Sequence, residues 1–203
     1  MFSLYNKYIL PRLLDRDMGP EEFNETRLKI VGPAKGVVLE IGFGSGYNLP
    51  FYKNVEKLYA LDPSLELYRY AENRIQSVIF PVQYFQCSAE NIPLEESTVD
   101  TVVSTWSLCS IPDLSKALKE IHRVLKPDGK FLFVEHGLSP KKVNSIIQKL
   151  ITPVIRHFTG NCPLDREIDT FIIRAGFNIE ILEKFPEEGR PLMFSYRGIA
   201  VKN

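Results

Sequence analysis

At 203 residues the chain is long enough for one α/β domain that buries about 70% of its unfolded surface without disulfides or metals. Its 25 basic and 25 acidic residues cancel and form no block of like charge, which argues against an extended phosphate backbone, and so against nucleic acid, as the main partner. The cysteines, Cys87, Cys109 and Cys162, lie far apart with no C-x-x-C or histidine-rich spacing, so no disulfide framework, no zinc site and no other metal is expected, and a reducing cytoplasm fits best.

The first residues, MFSLYNKYILPRLLDRD, are apolar in places, but Lys7, Pro11 and Arg12 interrupt them and no small-residue cleavage site follows. This reads as neither a signal peptide nor a membrane span. No other window approaches the roughly 20 apolar residues that a spanning helix needs. Phe2–Asp17 and Glu21–Val31 read as two helices whose aromatics, Phe2, Tyr5, Tyr8 and Phe23, suit packing or, alternatively, a lid. Contact of these helices with a membrane surface is permitted by their aromatic and basic residues.

Short apolar runs then alternate with amphipathic ones. Strands are expected at Gly36–Ile41, Lys57–Leu61, Val82–Gln86, Thr101–Ser104 and Lys130–Glu135, and helices at Tyr47–Tyr52, Leu65–Ser77 and Leu114–Leu125. Asp113 can cap the last of these, and Lys126-Pro-Asp-Gly129 reads as its stop and as a turn into the next strand. The alternation predicts a doubly wound, Rossmann-like parallel sheet with helices on both faces. Beyond Pro140 a long helix is expected to about His157, then a break around Gly160–Pro163, a helix near Asp165–Ala175 and two closing strands, Phe177–Glu183 and Met193–Val201. Gly176 and the Pro-Glu-Glu-Gly turn at 186–189 suit a terminal hairpin. No repeat or linker marks a boundary, so residues 1–203 read as one domain, with a helical cap at 1–33, and a monomer is favoured.

The stretch VVLEIGFGSGYN carries the chemistry. In an open α/β sheet, ligands bind beyond the carboxyl ends of the strands at the switch point, where the first strand's loop lies. Gly42, Gly44 and Gly46 have G-x-G-x-G spacing, and Tyr47 stands where the dinucleotide fingerprint G-x-G-x-x-G/A needs a small residue. Glu40 would repel a pyrophosphate but attract an ammonium group. Asp62 closes the second strand about twenty residues beyond the loop, the position from which an acid accepts hydrogen bonds from ribose hydroxyls. A cationic, ribose-bearing ligand without an essential phosphate describes S-adenosylmethionine.

At this point the sequence resembles a class I S-adenosylmethionine-dependent methyltransferase over nearly its whole length. VVLEIGFGSG resembles motif I, YALDPS the acidic second-strand motif, CSAENIPL the adenine-binding turn, VDTVVSTWSLCSI the fourth strand, and HRVLKPDGKFLFVEHG the helix-turn-strand that follows. LCSIPD, VEHG and NCPLDR resemble the L-C-S, E-H and G-C-x-L-x-R patterns of the small methyltransferase-like group that includes membrane-associated thiol methyltransferases. The quinone-biosynthesis methyltransferases are similar more loosely. Asn161 and Pro163 depart from the group's usual glycine and histidine, and the hydrophobic amino-terminal anchor of some relatives has no counterpart here.

The resemblance implies a seven-stranded, mostly parallel sheet with an antiparallel carboxyl-terminal hairpin strand, and S-adenosylmethionine as cofactor, with S-adenosylhomocysteine as product. It assigns Gly42, Phe43, Gly44 and Gly46 to the chain beneath the ligand, Glu40 to its amino group and Asp62 to both ribose hydroxyls, or else to a helix cap. Pro63 and Ser64 flank the ribose, Ser88, Ala89 and Glu90 lie along the adenine, and Thr105 lies beside the sulfonium. Trp106 offers its ring to a cationic sulfur or packs the core. Glu135 and His136 end the fifth strand; His136 is the candidate general base, with a structural histidine as the alternative. His122 and His157 read as surface or capping groups, and Cys87 and Cys109 as small buried hydrophobes.

The implied activity is methylation of a small-molecule or lipid-like acceptor, such as a lipid head group, quinone precursor or thiol, with 138–176 as much of the acceptor wall. The fourth-strand ending STWS lacks the N-P-P-[YF] signature of many nucleic-acid and protein amino-methyltransferases. A cofactor-binding protein without turnover and a nicotinamide-dependent oxidoreductase of similar fold are the alternatives.

Overall fold

The computed structural model describes residues 5, 9–19, 21–156 and 162–202. The expectations placed on Phe2, Tyr8, His157, Gly160 and Asn161 lie outside the described residues.

Seven strands form one sheet in the order β3-β2-β1-β4-β5-β7-β6: β1 (Lys35–Ile41), β2 (Asn54–Leu61), β3 (Val82–Phe85), β4 (Val99–Thr105), β5 (Leu125–His136), β6 (Phe177–Glu187) and β7 (Arg190–Lys202). The first five pair in parallel, and β7 enters antiparallel between β5 and β6. The strand order reverses between β1 and β4, which opens a crevice at their carboxyl ends. Two faces of the sheet are filled by alternate residues of the same strands, as the period of two demands. Leu39, Ile41, Phe131 and Phe133 bury against one face, and Val38, Val103, Leu132 and Val134 against the other.

The helices are α1 (Leu10–Met18), α2 (Asn24–Val31), α3 (Leu65–Ile75), α4 (Leu114–Val124), α5 (Lys142–Ile155) and α6 (Ile168–Arg174). Asp113 caps α4, its Oδ1 accepting from the Lys116 N–H at 3.0 Å. The cap of α3 is Ser64, whose hydroxyl oxygen accepts from the Leu67 N–H at 3.2 Å, two residues beyond the cap expected at Asp62.

Two expectations change, and the turn expected at 186–189 narrows to its second half. Tyr47–Tyr52 yields only a 3-10 turn at Leu49–Phe51, because the chain is already extended at Tyr52 and enters β2 at Asn54. Lys126–Gly129 does not turn the chain but lies within β5, where the register with β4 shifts between Val99 and Thr101. The hairpin turns at Glu188-Gly189, with Gly189 at φ +69° and Glu187 paired to Arg190. Of α5, Gln148 and Thr152 are buried, while Val143, Ile146, Leu150 and Val154 are exposed along one side. No described helix is long and apolar enough to cross a membrane.

Candidate active site

The crevice at the switch point holds a cavity of about 320 Å³, within the usual range for small-ligand sites. Its floor is the glycine loop. Gly42 and Phe43 donate their N–H groups to the Leu61 carbonyl at 2.8 and 3.1 Å, folding the loop back over β2. Gly42 (φ +68°) has no room for a side chain, since a Cβ would lie 2.0 Å from Ser107 Oγ. At Gly44 (φ +55°) a Cβ would meet nothing closer than the Gly42 carbonyl at 3.9 Å, so this glycine opens space in the cavity wall rather than filling a contact.

Two buried carboxylates face this floor. Glu40, at the end of β1, accepts from Asn48 Nδ2 at 2.8 Å and from the Tyr52 hydroxyl at 2.7 Å. Burial pushes its carboxyl up to about 7, with those two hydrogen bonds and the Arg27 charge pulling it back. Asp62 accepts from the Gly44 N–H at 2.9 Å and the Ser64 N–H at 2.7 Å, which locks the loop to β2. Burial raises its pKa, and the two backbone bonds oppose the rise.

Over the floor comes the amino-terminal region. Leu14 and Met18 of α1 and Arg27 of α2 line the cavity. Arg27 is only 2% exposed, and among the described residues no carboxylate lies within ion-pair distance of it. Its guanidinium donates to the Met18 carbonyl and to Asn24 Oδ1 at 3.4 Å, and sits 5.4–5.7 Å from the ring centres of Phe23, Tyr47 and Trp106. Burial lowers its pKa to about 10, well short of neutralising it at physiological pH. Trp106 follows β4 with φ +50°, a conformation that costs a non-glycine residue about 1–3 kcal/mol. Its backbone N–H donates to the Val134 carbonyl at 2.7 Å, and its ring meets Phe23 edge-on with centroids 5.0 Å apart.

Three buried side-chain atoms on this cavity, Ser45 Oγ, Asn48 Oδ1 and Trp106 Nε1, have no hydrogen-bond partner among the described residues. Buried polar groups are rarely left so, and three around one cavity make it suited to a ligand with both donors and acceptors.

Of the residues singled out in the sequence, Glu40, Gly42, Phe43, Gly44, Asp62, Pro63, Ser88, Ala89, Thr105 and Trp106 line the cavity. Gly46, Ser64 and Glu90 stand behind it. Gly46 packs against Leu49, Ala71 and Phe43; Glu90 accepts from Ser88 Oγ at 2.8 Å and from the Asp113 N–H at 2.8 Å. Glu135 and His136 do not reach the cavity. Glu135 accepts from Ser104 Oγ at 2.7 Å and from the N–H of Cys109 at 3.1 Å, and burial raises its pKa against these and further bonds from Leu108 and Ser107. It therefore shapes the loop after β4. His136 points away, its Nε2 lying 3.1 Å from Glu187 Oε1. No described residue of 138–176 lines the cavity either. Arg27, Asn48, Tyr52 and Ser107 carry no signal in the sequence; an arginine in a short helix among charged neighbours of both signs, Glu25 and Lys29, gives no warning that it will be buried.

Residues 39–133 match the Methyltransferase domain family. Thiol S-methyltransferase TMT1B of Rattus norvegicus is 36% identical over 157 residues, covering 73% of this chain and 63% of the relative. The protein of the same name from Mus musculus is 35% identical over 175 residues, covering 81% of this chain and 70% of the relative. The chain belongs to the S-adenosylmethionine-dependent methyltransferase family. It spans less than two thirds of the length of the rat relative. The family fold is also that of the crystal structure of YcgJ from Bacillus subtilis, with a TM-score of 0.71 over 90% of this chain and 98% of the other at 18% identity. The family match runs from within β1 to within β5, so it contains the glycine loop and both cavity carboxylates but not α1 or α2, which contribute Leu14, Met18 and Arg27.

Proposed function

We propose that the chain transfers a methyl group from S-adenosylmethionine to a small-molecule acceptor, with a thiol as the first acceptor to test. The observation that carries this reading is the charge pattern of the cavity: a buried acid, Glu40, and a buried guanidinium, Arg27, on the walls of one pocket whose second acid, Asp62, lies at the end of β2. An amino-acid zwitterion joined to a ribose is complementary to that set. Glu40 suits its ammonium, Arg27 its carboxylate through the bidentate fork, and Asp62 its ribose hydroxyls. Pro63, Leu67 and Ala89 offer an apolar slot for adenine, and the unpartnered Ser45, Asn48 and Trp106 atoms supply further polar contacts. A dinucleotide fits poorly, because its pyrophosphate would face two buried carboxylates.

The cofactor supplies a methyl group on an already activated sulfonium leaving group. The chain's own residues then have to align the acceptor and exclude water, and positioning of that kind is worth about 7–11 kcal/mol. Leu14, Met18 and the Phe23–Trp106 pair provide cover. A thiol is favoured because no histidine lines the cavity among the described residues. With no histidine there and Glu40 given to the ligand's ammonium, an acceptor that ionises by itself is the easiest to methylate, and a thiol with a pKa of about 8.5 does so more readily than an alcohol. The names of the rat and mouse relatives agree with that choice. The test is incubation with methyl-labelled S-adenosylmethionine and a panel of small thiols, amines and phenols. Label in a thioether supports the reading; label only in an amine or phenol would keep the methyltransferase and discard the thiol.

A further inference from the structure

Cys109 in the loop after β4, His136 at the end of β5 and Cys162 ahead of α6 are distant in sequence but meet behind the cavity wall. The two sulfurs are 3.1 Å apart, and His136 Nδ1 lies 3.5 Å from Cys162 Sγ and 3.9 Å from Cys109 Sγ. Both cysteines are buried, and the ligand atoms of all three residues fall within 4.8 Å of one another. The circle through these atoms has a radius of about 2 Å, just inside the ~2.3 Å zinc–sulfur and near the ~2.0–2.1 Å zinc–nitrogen bond lengths, so an ion slightly off their plane reaches all three. Off the plane of three ligands is where a tetrahedral centre sits.

The surroundings match as well. On the far side of the imidazole, Nε2 lies 3.1 Å from Glu187 Oε1, the carboxylate–histidine arrangement that turns the other ring nitrogen toward a metal. Glu187 is itself held, accepting from Ser195 Oγ at 2.6 Å and pairing with Arg190. A bare packing of small thiols would need no such oriented imidazole.

We propose that Cys109, His136 and Cys162 form a binding site for one zinc ion, with Glu187 as the positioning residue for the histidine. Two thiolates and one imidazole are a ligand set for a borderline-soft divalent cation, and three protein ligands leave a fourth position for water or an exogenous ligand. Both thiols lose their protons to solvent on binding, and the imidazole binds neutral through Nδ1 with its Nε2–H donated to Glu187. The ion would tie the β6–β7 hairpin and the segment before α6 to the loop that places Ser107 and Ser110 on the cavity wall.

The full chain, kept reduced and stripped with a chelator, is titrated with Co²⁺ and then with Zn²⁺. The expected result is one ion per chain by native mass spectrometry, a thiolate-to-cobalt charge-transfer band that zinc displaces, and loss of that band in Cys109→Ser and Cys162→Ser. Glu187→Gln, which leaves all three ligands in place, should weaken zinc binding about 10–100-fold. No uptake by reduced wild-type chain with native far-UV circular dichroism overturns the site, as does a band that persists in the double cysteine variant. Failure to bind metal accompanied by a mass loss of two hydrogens in air, with Cys109 joined to Cys162, overturns it in favour of a redox pair.

Discussion

Substitution of Glu40 by Gln gives a sharp test of the ammonium contact. Burial holds this carboxyl at about 7, so it titrates where few carboxylates do. If the ligand's ammonium binds only the ionised form, half of the chains are competent near pH 7 and about 3% near pH 5.5, so affinity should fall about 15-fold over that interval. The ligand's own α-amine, with a pKa of about 7.7–8.0, stays protonated throughout. Calorimetric titration with S-adenosylhomocysteine, which keeps the amino-acid and ribose groups and does not react, reads the affinity directly. Wild type should show the fall, and Glu40→Gln should bind weakly at both pH values with little dependence between them. A wild-type affinity that stays flat, or a Gln variant that keeps the 15-fold change, would refute the contact. Without ligand the sign reverses. A carboxyl raised on folding from 4.5 to about 7 binds more protons in the folded chain, so its contribution to stability is present below about 4.5 and is lost as the pH rises to about 7.

Asp62→Ala should weaken cofactor binding by the ~1.5–3 kcal/mol of a charge-assisted hydrogen bond, roughly 10–150-fold, by calorimetry; unchanged affinity would remove the ribose assignment. The glycines separate fold from site. Gly42→Ala, with a Cβ 2.0 Å from Ser107 Oγ, should lower the thermal midpoint markedly, whereas Gly44→Ala, with open space above it, should lose cofactor affinity with only the ~1–2 kcal/mol backbone strain in stability. Arg27→Lys keeps the charge but loses the fork, and should raise the cofactor dissociation constant at least about tenfold if the guanidinium grips a carboxylate bidentately; equal affinity would assign Arg27 to packing.

Much of this architecture was legible because the signals are local. Strands β1 and β4 carry short apolar runs, Val37–Leu39 and Val102–Val103, Asp113 is a short polar residue just ahead of an amphipathic stretch, and Gly42, Gly44 and Gly46 stand where a strand must turn into a loop. What escaped depends on long-range packing. Arg27 looks like a surface residue until α2 lays it among Phe23, Tyr47 and Trp106. Glu135 and His136 end a strand beside the crevice, yet Glu135 bonds to the loop after β4 and His136 turns to Glu187 on the hairpin, pairings made across 26 or more residues. Cys109 and Cys162 meet across 53 residues, a separation that no short spacing rule can reveal.

Methyl transfer to sulfur is read by following methyl-labelled S-adenosylmethionine in one reaction with the chain and a small thiol. S-adenosylhomocysteine and labelled thioether should form in equal amounts, both slowed roughly 10–150-fold by Asp62→Ala when S-adenosylmethionine is well below saturation. Tight binding of S-adenosylmethionine with no label leaving it, for any acceptor in a broad panel, would contradict the transfer.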